Sequence, residues 1–266
     1  MPGWDGRGLP PVARERVERF AASGLTTSLL SVPGAVGAEV AGFSPVGEVM
    51  GCVVQRAGWP GAASWAAADQ VELLSGALRE GYRIALDRLG QEAEAIGADG
   101  VLGITLTLTS LDDVMREFTA LGTAVRADTR QRPGRLFTTE LPGQDVGKLM
   151  QAGWVPARLV IGVAGRAKYD YNMQNQTSVW AGNTEVDLPT HVVNEVRGAA
   201  RAEFARGIRE SGADGGIVSR LTLRTWPVQE IAVAGIATVT GTAIARFHPG
   251  RAAPTSALKI LPLNRS

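Results

Sequence analysis

Gly97-Ala98-Asp99-Gly100 returns without change as Gly212-Ala213-Asp214-Gly215, 115 residues further along the chain. Outward from this tetrapeptide the sequence keeps matching itself. Leu25-Thr26-Thr27 recurs as Phe137-Thr138-Thr139, and Gly42-Phe43-Ser44-Pro45 as Gly153-Trp154-Val155-Pro156. Gly51 recurs as Gly162, and Gly122-Thr123-Ala124-Val125 as Gly241-Thr242-Ala243-Ile244. The separations drift from 112 to 111, 115 and 119, as a duplication with small loop insertions requires. Collinear matches at one period define an internal repeat, and the repeat must be read before any motif.

Each copy carries the same pattern. A short strand is expected around Thr26–Leu30 and a second around Val46–Val54. A helix follows near Ala68–Ile96, because Val71, Leu74, Leu78, Tyr82, Ala85, Leu89, Ala93 and Ile96 fall three or four apart and form one apolar stripe. Gly97 stands where a helix commonly ends in a left-handed residue. Leu102, Ile104, Leu106 and Leu108 alternate with small or polar residues, the period of a strand buried on one face. Leu111-Asp112-Asp113 turns the chain into a last strand, Phe118–Arg126. The second copy repeats this with the helix stripe Val193, Val196, Ala200, Phe204 and Ile208, then strands near Gly216–Thr225 and Gln229–Phe247. The expected fold is α+β, two repeats of an antiparallel sheet covered by one long helix. Residues 25–127 form the first and 136–248 the second. Residues 1–24 are an extension with a short charged helix at Pro11–Ala22, suited to capping an assembly or recruiting a partner, and 249–266 are an irregular tail.

Composition narrows the function. The 266 residues include 27 Lys and Arg against 26 Asp and Glu, a net charge of +1, which argues against nucleic acid or an anionic membrane as partner. Only Lys148, Lys168 and Lys259 are lysines, and the arginines are scattered rather than clustered. One cysteine and two histidines exclude a disulfide framework and a zinc finger. Arg14, Glu15, Arg16, Glu18 and Arg19 interrupt any secretory core near the start, and the longest uncharged run, Ile231 to Ala245, is rich in Thr and Gly and suits a strand. A cytoplasmic protein is expected.

The run Ala85–Leu89, leading into Ala95-Ile96-Gly97-Ala98-Asp99-Gly100-Val101-Leu102-Gly103-Ile104, resembles the signature of the small bacterial YbjQ-like proteins. Thr26-Thr27, Gly47-Glu48-Val49-Met50-Gly51 and Gly122-Thr123-Ala124-Val125 fit the same pattern, and the second repeat keeps Thr138-Thr139, Gly212-Ala213-Asp214 and Gly241-Thr242-Ala243. The resemblance implies a dodecin-like fold and homo-oligomers, since single-domain members form ring-shaped pentamers. Five tandem chains would then place ten domains in a ring. It also brings a heavy-metal-binding label.

Candidate site residues are few. Met50 and Cys52, two apart on a strand, face the same way and offer two sulfurs to a soft metal ion, or are simply buried hydrophobes. Asp99 and Asp214 of the repeated motif either bind a cation or neighbouring arginine, or hydrogen-bond backbone amides in a tight connection. Thr27 and Thr139, near the first strand, carry a similar ambiguity, with sheet propensity as the plain alternative. Trp59 and Trp65, with Tyr169, Tyr171 and Trp180, lie in the loops after the second strand of each repeat; they form an interaction surface or pin the loops to their own domain. His191 and His248 have no second ligand at metal spacing, and Gly143–Lys148 lacks the spacing and the Ser or Thr of a phosphate loop. No nucleophile–base arrangement is present, so the expected function is a non-enzymatic assembly or binding scaffold without a cofactor. The alternative is metal or small-ligand binding at subunit interfaces, where symmetry multiplies the lone cysteine.

Overall fold

A computed structural model describes residues 4, 8–24, 26–57, 67–112, 114–129, 132–170, 185–228 and 231–246. In chain order they form α1 (Pro11–Ser23), α2 (Val32–Val40), β1 (Phe43–Arg56), α3 (Ala67–Ala95), β2 (Gly100–Ser110), β3 (Met115–Ala127), β4 (Phe137–Thr138), α4 (Gly143–Gln151), β5 (Trp154–Tyr169), α5 (Asp187–Glu210), β6 (Gly215–Pro227) and β7 (Ala232–Arg246). The fold is α+β. One sheet has the order β1-β3-β2-β4 and the other β5-β7-β6, and all pairings are antiparallel except β2 with β4.

The two halves match to the level of irregularities. The register slips between Pro45 and Gly47 on β1 and between Pro156 and Arg158 on β5, and again between Leu102 and Thr105 on β2 and Val218 and Arg220 on β6. Long helices end as the sequence predicts, with Gly97 and Gly212 at φ of 72° and 73°. Each helix lies so close to its sheet that a Cβ on Gly51 would meet the Ala85 carbonyl oxygen at 1.8 Å, and one on Gly162 the Ala200 oxygen at 2.2 Å.

The apolar stripes explain the layering. Val71, Leu74, Leu78, Ala85, Leu89 and Ala93 are buried on α3 as predicted. On α5 the buried position is Val192 rather than the predicted Val193, with Val196, Ala200 and Phe204 following. Along β5 the side chains alternate between two cores: Leu159, Ile161 and Val163 pack with α3, while Val160 and Ala164 pack with α5. Strands buried on both faces lose the polar alternation of half-exposed ones. Helix α3 therefore serves both sheets, not only its own as the sequence reading implies.

Two further corrections concern the start of each half. Residues 26–30 form no strand, although one was expected at Thr26–Leu30; their counterpart does so only because β2 is there to pair with it. Helices α2 and α4 were not foreseen. Both are short and carry two glycines each, a poor pattern for helix propensity, yet those glycines let the two helices touch. A Cβ on Gly37 would lie 2.3 Å from the Gln144 backbone, and one on Gly143 2.0 Å from the Gly34 oxygen. The span Gly143–Lys148 is thus the start of a helix. The predicted N-terminal helix is present as α1.

Candidate functional site

The second half begins by adding a strand to the first. The amide of Phe137 donates to the Asp99 carbonyl at 3.1 Å and that of Thr139 to Val101 at 3.0 Å, while Ile104 and Gly103 donate back to Thr139 and Leu141. Phe137 covers Gly100 so closely that a Cβ there would lie 2.2 Å from its ring. Beneath it, Phe43, Leu102, Val125 and Val146 close a small core with α2 and α4.

Threonines fix this segment to its own half. The Leu159 amide donates to the Thr138 hydroxyl at 3.0 Å, and the buried Thr139 and Thr242 hydroxyls share a 2.7 Å bond. In the first half the Glu48 amide donates to Thr27 at 3.4 Å, and Ser28 faces Thr123 at 3.5 Å. Thr27 therefore corresponds to Thr138 and Ser28 to Thr139, one position from the pairing that the sequence suggested. Residues 26–30 are held ready as β4 is, but lie on no β-edge.

Asp99 and Asp214 act on the backbone. Asp99 Oδ2 accepts from the Ala127 amide at 2.8 Å, and Asp214 Oδ2 from the Arg246 amide at 2.8 Å. Asp99 is 5% exposed and also takes the Arg132 guanidinium at 2.8 Å. Burial disfavours its charge, but Arg132 and the amide outweigh this and hold the carboxyl below its ordinary range. Arg132, Asp99, Leu86 and Leu159 line a cleft of about 1300 Å³ between α3 and β5.

Met50 and Cys52 do share one half-buried face of β1. The Cys52 thiol donates to Glu117 at 3.1 Å, and burial together with this carboxylate raises its pKa. Among the described residues no three His, Cys, Asp or Glu side chains are grouped to hold a metal. His191 sits in a surface network, its Nε2 2.7 Å from Lys168 Nζ, with Lys168 also 2.7 Å from Glu195; the Lys168 hydrogen bond lowers the Glu195 pKa. Tyr169 ends β5, half exposed, whereas Trp59, Trp65, Tyr171, Trp180 and His248 lie outside the described residues.

The sequence reading missed two acids, one buried and one half-buried. Glu92, 1% exposed, accepts from Arg16 of α1 through both nitrogens at 2.7 and 2.6 Å and from the Met50 amide at 2.6 Å. Its place in the stripe, between Leu89 and Ile96, was the available signal. Glu140 accepts from the Ser219 and Thr242 hydroxyls, and burial raises its pKa. No helix among the described residues is long and apolar enough to cross a membrane.

Comparison with known proteins agrees with this geometry. The family model YbjQ_1, described as "Putative heavy-metal-binding", matches residues 62–128. A Mycobacterium tuberculosis protein named "Encapsulin nanocompartment protein Rv1762c" is 34% identical over 164 residues, 58% of this chain and 60% of that protein. A "UPF0145 protein" of Halorubrum lacusprofundi is 52% identical over 42 residues, 16% of this chain and 40% of that one. The chain thus spans less than two thirds of either relative. The match at 62–128 covers α3, β2 and β3, the helix and strands that build the first sheet's core, and so the chain carries a YbjQ-like domain.

Proposed function

We propose that the protein is a non-enzymatic scaffold of the cytoplasm that assembles with copies of itself into a closed ring, with neither nucleic acid nor membrane as its partner. One observation carries this reading. The outer edge of β2 is covered by β4, whereas no strand among the described residues covers the corresponding edge of β6. An open edge with a row of free backbone groups is a template for another chain. The name of the Mycobacterium relative, an encapsulin nanocompartment protein, supports self-assembly. Five chains per ring is the number supported by the resemblance to single-domain YbjQ-like proteins. Light scattering on the purified chain tests the reading: a mass several times the 27.9 kDa of one chain is expected, and a monomer at micromolar concentration would refute it.

A second reading rests on Met50 and Cys52 sharing one half-buried face. If that face lies between subunits, symmetry brings further sulfurs and carboxylates to it, enough to hold a soft metal ion. Native mass spectrometry with zinc or copper, and loss of the bound mass in Cys52→Ala, is the expected result; unchanged binding in that variant removes this reading.

A further inference from the structure

The second half sits on the first through three surfaces, and the pseudo-equivalent positions form a set that no element among the described residues covers. Within the chain, β4 pairs with β2, α4 packs on α2, and the back of the second sheet covers α3. The unused set is the outer edge of β6, the free side of α2, and the back of the first sheet opposite α5. We infer that a second copy docks its first half onto this chain's second half in the same manner, its residues 26–30 adding as a parallel strand to β6. This deepens the proposed self-assembly and rests on it.

Each surface carries its own support. Val218 on the β6 edge is 54% exposed, whereas the amide of its counterpart Gly103 donates to the Leu141 carbonyl just past β4. By the same correspondence, the amide of the incoming Ser28 reaches the Gly216 carbonyl, and the amides of Val218 and Ser219 reach the carbonyls of the incoming Leu30 and Ser28. On α4, Gly143 and Gly147 face α2; their counterparts on α2 are Val32 and Val36. These valines are 79% and 53% exposed, an apolar pair on the free side of a short helix. Between the halves, Leu86 of α3 and Leu159 of β5 line one cleft. Their counterparts are Arg201, exposed on α5, and Glu48 on β1, so an apolar pair inside the chain becomes a pair of opposite charges between chains. Charge complementarity of this kind fixes the register of an interface. Because the surfaces differ, the contact is head-to-tail, and such contacts close into rings when the rotation permits.

Disulfide trapping tests the register. Gly100 faces Phe137 within the chain, so Gly215 faces the second copy's Thr26, and a Cβ at Gly215 has room. In a Cys52→Ser background, chains carrying Thr26→Cys are mixed with chains carrying Gly215→Cys and oxidised. A reducible dimer joining the two kinds of chain is expected, and the chain carrying both substitutions should give a ladder that ends at the ring size. An assembly by light scattering that yields no mixed disulfide overturns the strand addition but leaves self-assembly standing, whereas a monomer overturns both. Glu48→Arg and Arg201→Glu should each lower the assembled fraction at least tenfold, and the pair together should restore it; failure of the pair to do so counts against the register.

Discussion

The amide of Phe137 meets the carbonyl of Asp99 at 3.1 Å, joining the first strand of the second half to the aspartate of the repeated motif in the first. The neighbouring Thr139 makes this junction rigid by bonding the buried Thr242 hydroxyl at 2.7 Å. Thr139→Val keeps the shape but removes that bond and the hydroxyl that accepts from the Leu141 amide at 3.0 Å, while Thr242 keeps Glu140 as its acceptor. An intramolecular hydrogen bond contributes about 0.5–1.5 kcal/mol, so urea unfolding should shift by about 1–3 kcal/mol for the two, more than for Ser28→Ala at the looser 3.5 Å counterpart.

Arg16 links α1 to a buried charge. Its removal in Arg16→Ala leaves Glu92, among the described residues, with the Met50 amide, and hydrogen bonds to charged groups are worth about 1.5–3 kcal/mol. Thermal unfolding should show a loss in that range. The double variant Arg16→Ala, Glu92→Gln should recover part of it, because the orphaned charge is gone.

Gly51 and Gly162 are fixed by the approach of backbone to backbone. Gly51→Ala would place its methyl against the Ala85 carbonyl and should cost about 3 kcal/mol, the upper end for overpacking. Gly198, in α5 with nothing near its missing Cβ, should behave oppositely: Gly198→Ala gains about 0.5–1 kcal/mol from helix propensity. Equilibrium denaturation of both variants decides it.

Asp99 and Glu140 give opposite pH signatures. The Asp99 carboxyl is held below its ordinary 3.8, so its contribution is present above that value and is lost as pH falls through the lower folded-state value. Burial raises Glu140 above its ordinary 4.5, so its contribution is present below that value and is lost as pH rises through the higher folded-state value. Asp99→Asn should therefore flatten the loss of stability in acid. Glu140→Gln, which keeps the acceptor for Ser219 and Thr242, should be more stable than the native chain at pH 8 but not at pH 4. Unfolding curves across pH 3–8 measure both.

Strands β1–β3 and both long helices were legible because burial on one face leaves a period in the sequence, as Val71 through Ala93 shows. The repeat was legible because turns such as Gly97 and close approaches such as Gly51 admit only glycine. What depends on a partner element was not. Residues 26–30 and 137–139 look alike, yet only the latter find a strand to join. Helices α2 and α4 hide behind glycines that serve packing rather than propensity. Among the site residues, Met50 and Cys52 were correctly placed on one face by their spacing, while the partners of Glu92 and Glu140 lie far off in sequence and leave no local mark.

In the proposed assembly one chain is incomplete and copies complete one another. Native mass spectrometry of the intact protein tests this most directly. A single closed species at an integer multiple of 27.9 kDa is expected, five chains by the resemblance to single-domain rings, and it falls to one chain when Val32 and Val36 are both changed to Asp. A native chain that flies only as a monomer would contradict it.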